Sequence, residues 1–200
     1  MNDSGVSISL LTIAVTALCS FAGFASRRTA RDLAESPWEI LHDGRWYQMF
    51  TSGFLHVDLG HLFMNMFTLF FFGPPVERIL GGKGFAILYL GSLLAGSLLT
   101  LLLYHRDRAY RALGASGAVT GIVFGFVLFY PTAPLYIFFI PIGIPAFLFA
   151  AGYLAISIIG ARTRRGRIGH AAHLGGAIGG VLLTIALEPR AAAVFLSHFR

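Results

Sequence analysis

Charged side chains are scarce in this sequence. Of its 200 residues, 56% are hydrophobic and only 12% are Asp, Glu, Lys or Arg. A soluble globular domain carries about a quarter charged residues, so this composition excludes an ordinary soluble protein. It indicates an integral membrane protein, with the lipid bilayer as its surroundings. The length suits a single domain that covers residues 1–200.

Negative charge is the rarer of the two signs. The chain has 15 Lys and Arg against 9 Asp and Glu, which gives a formal net charge of +6. The basic residues lie between long apolar stretches, as is typical of loops that flank membrane spans. They form no basic stripe with interleaved aromatic side chains, so we expect no nucleic acid among the partners of this protein.

Cysteine occurs once, as Cys19, so no disulfide bond can form within the chain. The zinc motif HExxH and histidine pairs with helical His-xxx-His spacing are also missing. A metal site is nevertheless an alternative, because four histidines are expected at one membrane depth: His56, His61, His170 and His173. The missing motifs disfavour that alternative, and we expect neither a metal nor a cofactor.

Five long stretches of the chain contain no charged residue: 4–26, 59–76, 84–105, 112–161 and 168–187. A membrane-spanning helix needs about 20 apolar residues. The fourth stretch is too long for one helix, and Pro131 and Pro134 interrupt it. The pattern therefore predicts an all-α polytopic membrane protein with six transmembrane helices. We expect these helices near residues 6–25, 56–74, 84–104, 115–130, 143–160 and 170–187.

Two connecting segments are expected to have structure of their own. Residues 26–55 are moderately charged and contain Trp38, Trp46 and Tyr47. Amphipathic aromatic side chains favour the level of the lipid headgroups, so this segment is predicted to lie at the membrane interface. Residues 135–142 are predicted to form an irregular or re-entrant segment that leads into the fifth helix.

A serine among small residues marks the start of the predicted fourth helix, in Gly114-Ala115-Ser116-Gly117. Polar groups within membrane spans are costly and usually functional. Small neighbours would let a partner helix bring a base within hydrogen-bonding distance of the Ser116 hydroxyl. The alternative is that these residues only allow two helices to pack closely. For this motif taken alone, close packing is the better explanation.

His173 is the candidate base, near the start of the predicted sixth helix. Gly176 and Gly180 are one turn apart and share a helix face with it. This glycine groove can pack against the glycines that follow Ser116, which would bring Ser116 and His173 to a similar depth. The alternative is a core histidine that bonds to a backbone carbonyl. Taken together, the two helices favour a catalytic Ser–His dyad.

His61 and Asn65 form a third polar group in the predicted second helix. They are four residues apart, so they point the same way from that helix. Both can donate neutral hydrogen bonds, which a developing oxyanion requires in a low-dielectric site. The alternative is a polar contact that holds two helices together.

These motifs resemble those of the rhomboid intramembrane serine proteases of the compact six-helix type. The resemblance extends from about Gly44 to Leu187 and implies a bundle of six transmembrane helices. The matching pieces are His56-xxxx-His61-xxx-Asn65, Gly114-Ala115-Ser116-Gly117 and Ala172-His173-xx-Gly176-xxx-Gly180.

The resemblance implies a role for each matching residue. Ser116 would attack the scissile carbonyl of a transmembrane protein substrate, and His173 would take its proton and return it to the leaving amine. The oxyanion would be held by the Ser116 backbone N–H and by the side chains of His61 and Asn65. The supporting positions would be His56, which stabilises the loop before the second helix, and Gly114, Gly117 and Gly176.

Two further features follow from the resemblance. Glu77 matches an acidic position at the far end of the second helix and would have a structural role; the alternative is a solvated loop charge. The fifth helix, with Tyr153, is a candidate gate for substrate, and the alternative is a helix that simply faces lipid.

Two positions depart from the family pattern. A Trp-Arg pair that many members carry before the second helix is replaced by Tyr47-Gln48, so the anchoring of that loop is expected to differ. Some members place an aromatic residue one turn after the serine, stacked on the histidine. Thr120 occupies this position here, which leaves a looser His173, or one held by a hydrogen bond, as the two alternatives.

Two other functions are alternatives to the protease. A non-catalytic rhomboid-like protein that binds or chaperones membrane clients would share the fold, but loss of the serine or histidine would mark it. A small transporter or channel would need charged pore-lining groups or an inverted repeat, and neither is visible. Retention of Ser116, His173, His61 and Asn65 favours the enzyme.

Two expectations about the orientation of the protein in the membrane conflict. Eleven of the 15 Lys and Arg lie in loops on the side of the catalytic residues. The positive-inside rule places that side in the cytoplasm, whereas compact bacterial rhomboids usually have it facing outward. We expect a multi-pass protein of the bacterial inner membrane.

Overall fold

A computed structural model describes residues 7–136, 142–163 and 169–200 of the chain. Most of these residues are helical, and a 3-10 turn at Ser52–Phe54 and two short antiparallel strands, β1 (Pro134–Tyr136) and β2 (Gly143–Pro145), complete the described elements. The helices are α1 (Ile8–Ala25), α2 (Arg27–Leu33), α3 (Pro37–Asp43), α4 (Gln48–Thr51), α5 (Leu59–Tyr104), α6 (Ser116–Phe129), α7 (Ala146–Thr163), α8 (His170–Leu187) and α9 (Arg190–Ser197).

The longest helix, α5, contains a break that divides it into two parts. A straight helix of its 46 residues would extend roughly 69 Å, more than twice the thickness of the hydrocarbon core of a bilayer. Gly81 interrupts it with φ 71° and ψ 167°, a conformation that residues with a side chain rarely adopt. Side chains from both parts, such as Leu62 and Leu93, share one buried cluster.

Three helices, α1, α5 and α8, are long and apolar enough to cross a membrane, and α6 and α7 are shorter apolar helices. Each of the six predicted spans coincides with one of these helices, the second and third with the two parts of α5. The largely helical fold class is therefore confirmed, whereas six membrane crossings remain a prediction.

The central helix α6 is buried along nearly its whole length. It packs against α8 through glycines that leave no room for side chains. A Cβ on Gly176 would overlap the carbonyl oxygen of Gly117, and a Cβ on Gly180 would overlap the backbone of Gly121. The glycine-to-glycine packing of these two helices agrees with the prediction from their spacing.

The segment 26–55 folds into α2, α3, α4 and the 3-10 turn, with Gln48 fully buried at its centre. The Gln48 side chain accepts a hydrogen bond from Ser36 N at 3.1 Å and donates to Asp32 O at 3.2 Å and Glu39 Oε2 at 3.0 Å. Arg111, from the loop before α6, donates to Glu39 Oε1 at 2.5 Å. Gln48 thus anchors the segment by a network that differs from a Trp-Arg pair.

The chain on either side of residues 137–141 forms a two-stranded ribbon, in which Leu135 pairs with Ile144. The prediction of an irregular segment over 135–142 is wrong for Leu135 and Tyr136, which lie in β1. Residues 137–141 of that prediction lie outside the described residues. Helix α7 begins at Ala146, three residues later than predicted, because β2 extends through Pro145.

Helix α9 was not predicted from the sequence. With 8 residues it is too short to span a membrane. Its Ala191 is buried in a small cluster with Leu128 and Phe129, at the end of α6. The helix therefore covers the end of the bundle that lies away from Ser116.

Candidate active site

Ser116 is the first residue of α6, and no side chain caps this helix end. The Ala115 carbonyl accepts the first helical hydrogen bond, from Val119 N at 2.9 Å. The backbone N–H groups of the first turn therefore point away from the helix, and the helix dipole adds a partial positive charge there. Ser116 is half-buried between the buried Ala115 and Gly117. Ser116 thus lies at a helix end whose free N–H groups are suited to an anion.

Gly114 fixes the chain just before this helix end. Its φ of 144° lies in a region that favours glycine, and its N–H donates to Ser52 O at 3.0 Å. A Cβ on Gly114 would overlap the imidazole of His61. Glycine at this position therefore gives the backbone its turn and lets the His61 ring lie against the residues that lead to Ser116.

Helix α8 brings His173 to the same end of α6. A Cβ on Gly117 would lie 3.2 Å from the carbonyl oxygen of Ala172, so the residue after Ser116 packs against the residue before His173. Among the described residues, no hydrogen bond joins Ser116 to His173. Hydrogen bonds between a nucleophile and its base are often long without substrate and shorten in the reacting complex. The structure thus shows contact between the neighbours of Ser116 and His173, and the pairing of the two side chains stays a prediction.

His61 and Asn65 lie on the first turns of α5. The His61 N–H donates to Asp58 Oδ1 at 2.7 Å, which caps the helix. Asn65 Nδ2 donates to His61 O at 2.9 Å, so one amide N–H is used within the helix and the other has no partner in the described part of the chain. The Nδ1 atom of His61 is buried and has no hydrogen-bond partner among the described residues. A buried polar atom without a partner calls for an explanation, and a role in binding an external group is one.

His56 is buried and joins three segments. Its Nε2 accepts a hydrogen bond from Ala115 N at 3.3 Å, so Nδ1 carries the ring proton and donates to Ser20 Oγ at 2.9 Å. The Ser20 hydroxyl in turn donates to Phe54 O at 3.1 Å. This chain of hydrogen bonds connects α1, the 3-10 turn and the residue before Ser116, which is what a supporting position requires.

Glu77 caps the start of α1 from the far end of the first part of α5. Its carboxylate accepts hydrogen bonds from Ser7 Oγ at 2.7 Å, Ile8 N at 2.6 Å and Ser9 N at 3.0 Å. A carboxylate at a helix N-terminus satisfies free N–H groups and complements the helix dipole. The alternative of a solvated loop charge does not agree with these contacts.

Tyr153, on α7, contacts the candidate base, a role that the sequence did not indicate. Its ring stacks on His173 with centroids 5.7 Å apart and planes inclined at 30°. Its hydroxyl lies 2.9 Å from Thr120 Oγ1. The aromatic side chain that Thr120 does not supply from α6 therefore comes from α7. The hydrogen bond between Tyr153 and Thr120 joins residues 33 positions apart, so no periodicity in the sequence reveals it.

His170 completes the histidine group predicted at one depth, with its ring 6.3 Å from that of His173. The rings of His56 and His61 lie 5.0 Å apart. Among residues 7–136, 142–163 and 169–200, no group of three His, Cys, Asp or Glu side chains is arranged to hold a metal ion.

A family model described as the rhomboid domain matches residues 43–190 of the chain. The chain is 35% identical over 151 residues to RHOMBOID-like protein 12, mitochondrial, of Arabidopsis thaliana, covering 67% of the chain and 44% of that protein. It is 37% identical over 134 residues to Rhomboid protein 1, mitochondrial, of Saccharomyces cerevisiae, covering 66% and 39%. It is 29% identical over 155 residues to Rhomboid protease GluP of Bacillus subtilis, covering 77% and 29%.

The chain spans less than half the length of each of these relatives. Two of the three are mitochondrial and one comes from a bacterium. They therefore do not support the expectation that this protein lies in the bacterial inner membrane, and its multi-pass membrane character rests on its own apolar helices.

Proposed function

The chain belongs to the rhomboid family, and we propose that it is an intramembrane serine protease that cleaves transmembrane protein substrates with a Ser116–His173 dyad. The observation that carries this proposal is the packing of Gly117 against Ala172. These two residues adjoin Ser116 and His173, so the contact holds the nucleophile and the base on facing helix ends. Backbone N–H groups of the α6 N-terminus lie at the same place.

In this mechanism the Ser116 hydroxyl attacks the scissile carbonyl while His173 accepts its proton. The same imidazole then gives the proton to the leaving amine. Water hydrolyses the acyl-enzyme in the second half of the reaction, in which His173 accepts a proton from the water and returns it to the Ser116 oxygen. No Asp or Glu contacts His173 among the described residues, so the proposed machinery is a dyad and not a triad.

The negative charge that develops on the substrate oxygen needs hydrogen-bond donors. The Ser116 N–H, the free amide N–H of Asn65 and the His61 imidazole are the proposed donors. Preformed donors of this kind typically contribute about 2.7–4 kcal/mol each to transition-state stabilisation. His56, Gly114 and Gly176 are proposed to support the site by holding the Ser116 loop and the α6–α8 contact.

Hydrolysis within a bilayer also needs a supply of water. Polar groups gather at the starts of α5, α6 and α8, where they would line a water-filled cavity. A transmembrane helix that reached this cavity would have to unwind, because its backbone carbonyls are otherwise bonded within the helix.

Labelling with a fluorophosphonate, which reacts with activated serines, tests the proposal without a known substrate. We expect the folded wild-type protein to be labelled and both Ser116→Ala and His173→Ala to lose labelling. Ser197→Ala and His105→Ala, which change exposed residues outside the site, serve as controls and should be labelled like the wild type. A folded wild-type protein that resists labelling would favour the alternative, a non-catalytic rhomboid-like protein that binds membrane clients.

A further inference from the structure

The imidazole of His173 makes few directional contacts. Its backbone N–H donates to Gly169 O at 3.0 Å, but no hydrogen bond to the ring itself occurs among the described residues. The neighbours that restrict the ring are His170, on the same helix, and Tyr153, on α7. A dyad base without an orienting carboxylate must be held by such contacts.

Tyr153 is fixed at both ends. Its ring lies 5.7 Å from the His173 ring, centroid to centroid, within the usual range for aromatic pairs. Its hydroxyl shares a hydrogen bond with Thr120 at 2.9 Å. Thr120 is buried one turn after Ser116 on α6. One side chain from a third helix therefore connects the turn that carries the nucleophile with the ring that serves as base.

The contact between α7 and α8 recurs two turns along α7. A Cβ on Gly160 would overlap the imidazole of His170. The opposite side of α7 faces outward, with Leu148, Ile156 and Ile159 each more than half exposed. Helix α7 thus contacts both histidines of α8, His170 and His173, through one of its faces, and its opposite face is exposed.

Because of these contacts, we infer that Tyr153 is a positioning residue for His173. Its ring holds the imidazole plane in the orientation that proton transfer with Ser116 requires, and its hydroxyl lies against Thr120 of α6. The dyad is therefore complete only while α7 packs on α8. This inference rests on the proposed protease function and adds a third helix to the catalytic unit.

Variants of Tyr153 separate the ring from the hydroxyl. Tyr153→Phe keeps the ring and should label with a fluorophosphonate within about twofold of the wild-type rate. Tyr153→Leu removes the ring, and its labelling rate constant at saturating probe (kinact) should fall roughly tenfold to hundredfold. Its half-saturating probe concentration (KI) should stay within about twofold. A purely structural role of Tyr153 would not lower kinact at an unchanged KI in the Leu variant and leave kinact near the wild-type value in the Phe variant.

A second site offers a stronger test. The Tyr153 hydroxyl touches Thr120, so removing the Tyr ring opens space next to position 120. In the double variant Tyr153→Leu/Thr120→Phe, a ring from α6 can fill that space and reach His173. We expect this variant to recover most of the lost kinact, although it restores nothing on α7.

Phe147→Leu is the matched control, because Phe147 is an aromatic residue of α7 that contacts Phe199 and not the site. It should label at the wild-type rate. If Tyr153→Leu does not fold, Tyr153→Met, whose flexible unbranched side chain fills irregular gaps without a ring, should show the same loss.

The outcomes separate this inference from the proposed function. A wild-type protein that labels at Ser116, with ring-less variants that are folded and label equally fast, would overturn the role of Tyr153 and leave the protease standing. Failure of the double variant to recover, with normal folding, would also count against it. A folded wild-type protein that does not label would overturn both.

Discussion

At the scale of single residues, the polar groups around Ser116 differ in how fully they are satisfied. Both ring nitrogens of His56 are bonded, whereas Nδ1 of His61 has no partner in the described part of the chain. Asn65 uses one amide N–H for the His61 carbonyl. An unsatisfied buried polar group costs about 1–3 kcal/mol, a cost that a developing oxyanion would offset.

The first prediction concerns Asn65. Asn65→Ala removes an amide that can donate to the oxyanion, so kinact for fluorophosphonate labelling should fall roughly tenfold to thousandfold. Thr68→Ala is the matched control, because Thr68 donates to the Met64 carbonyl at 2.8 Å, also four residues back, and neither Thr68 nor Met64 is a proposed site residue. Equal rates for both variants and the wild type would contradict a role of Asn65 in the oxyanion site.

Glu35 carries the clearest pH dependence outside the membrane spans. Its side chain is 3% exposed, and its Oε1 has no hydrogen-bond partner among the described residues. Burial raises the pKa of Glu35 from 4.5 to about 8. The folded protein therefore binds a proton that the unfolded chain releases at lower pH. Stability from this group is present below pH 4.5 and is lost as the pH rises to about 8.

This gives the second prediction. The free energy of unfolding should fall by up to roughly 1.4 kcal/mol for each pH unit across that window, and Glu35→Gln should remove the slope. Thermal unfolding at a series of pH values measures it. In the control Glu188→Gln the slope should persist, since hydrogen bonds from Arg190 hold the pKa of Glu188 at about 2. Parallel curves for wild type and Glu35→Gln would show that Glu35 is ionised in the fold.

The motif residues could be predicted from sequence because each lies at a fixed spacing within one helix. His61 and Asn65 are four apart, and Gly114 to Gly117 are contiguous. Tyr153 could not be assigned to His173, because its neighbours depend on how α7 packs against two other helices. Glu77 likewise acquires its partners from α1, 68 to 70 positions away.

At the scale of elements, the α6–α8 contact brings together the helix ends that carry Ser116 and His173. This contact depends on glycines whose replacement would force two backbones apart. The helix positions were predictable, because charge-free stretches mark them and a spanning helix needs about 20 residues. Helix α9 and the β1–β2 ribbon were not, since α9 has 8 residues and each strand has three, too few to show a period.

The third prediction tests this contact. Gly176→Ala adds a Cβ that would overlap Gly117, and overpacking of this kind should destabilise the protein by about 1–3 kcal/mol and slow labelling of Ser116. Gly152→Ala is the control, because Gly152 lies in α7 and a Cβ added there would have nothing within 4 Å of it. Alanine also favours helix. Thermal unfolding and fluorophosphonate labelling would compare the two. A Gly176→Ala variant as stable and as reactive as wild type would contradict the packing.

At the scale of the whole molecule, hydrogen bonds between segments distant in the sequence fix the connecting segments around the helical bundle. Glu39 accepts hydrogen bonds from both Arg45 and Arg111, and Glu35 pairs with Ala112 backbone to backbone. These contacts connect the segment 26–55 to the loop before α6. The sequence indicated that this segment has structure of its own, but not the loop to which it attaches.

The fourth prediction concerns what such a molecule can cleave. A transmembrane substrate must unwind near Ser116, so residues that disfavour helix should promote cleavage. In a substrate that the protein cleaves, replacing glycine or proline near the scissile bond by leucine should slow cleavage in reconstituted vesicles. Leucine replacements at the other end of the same helix are the control. Equal cleavage of all these substrates would contradict the need for unwinding.

If Ser116 is an activated nucleophile within the membrane, a fluorophosphonate forms its adduct on this residue, and mapping of the adduct checks this. The wild-type protein in lipid nanodiscs is labelled and digested, and the modified residue is identified by mass spectrometry. We expect an adduct on Ser116 that is absent from His173→Ala. An adduct on a different residue, or none in a folded protein, would contradict it.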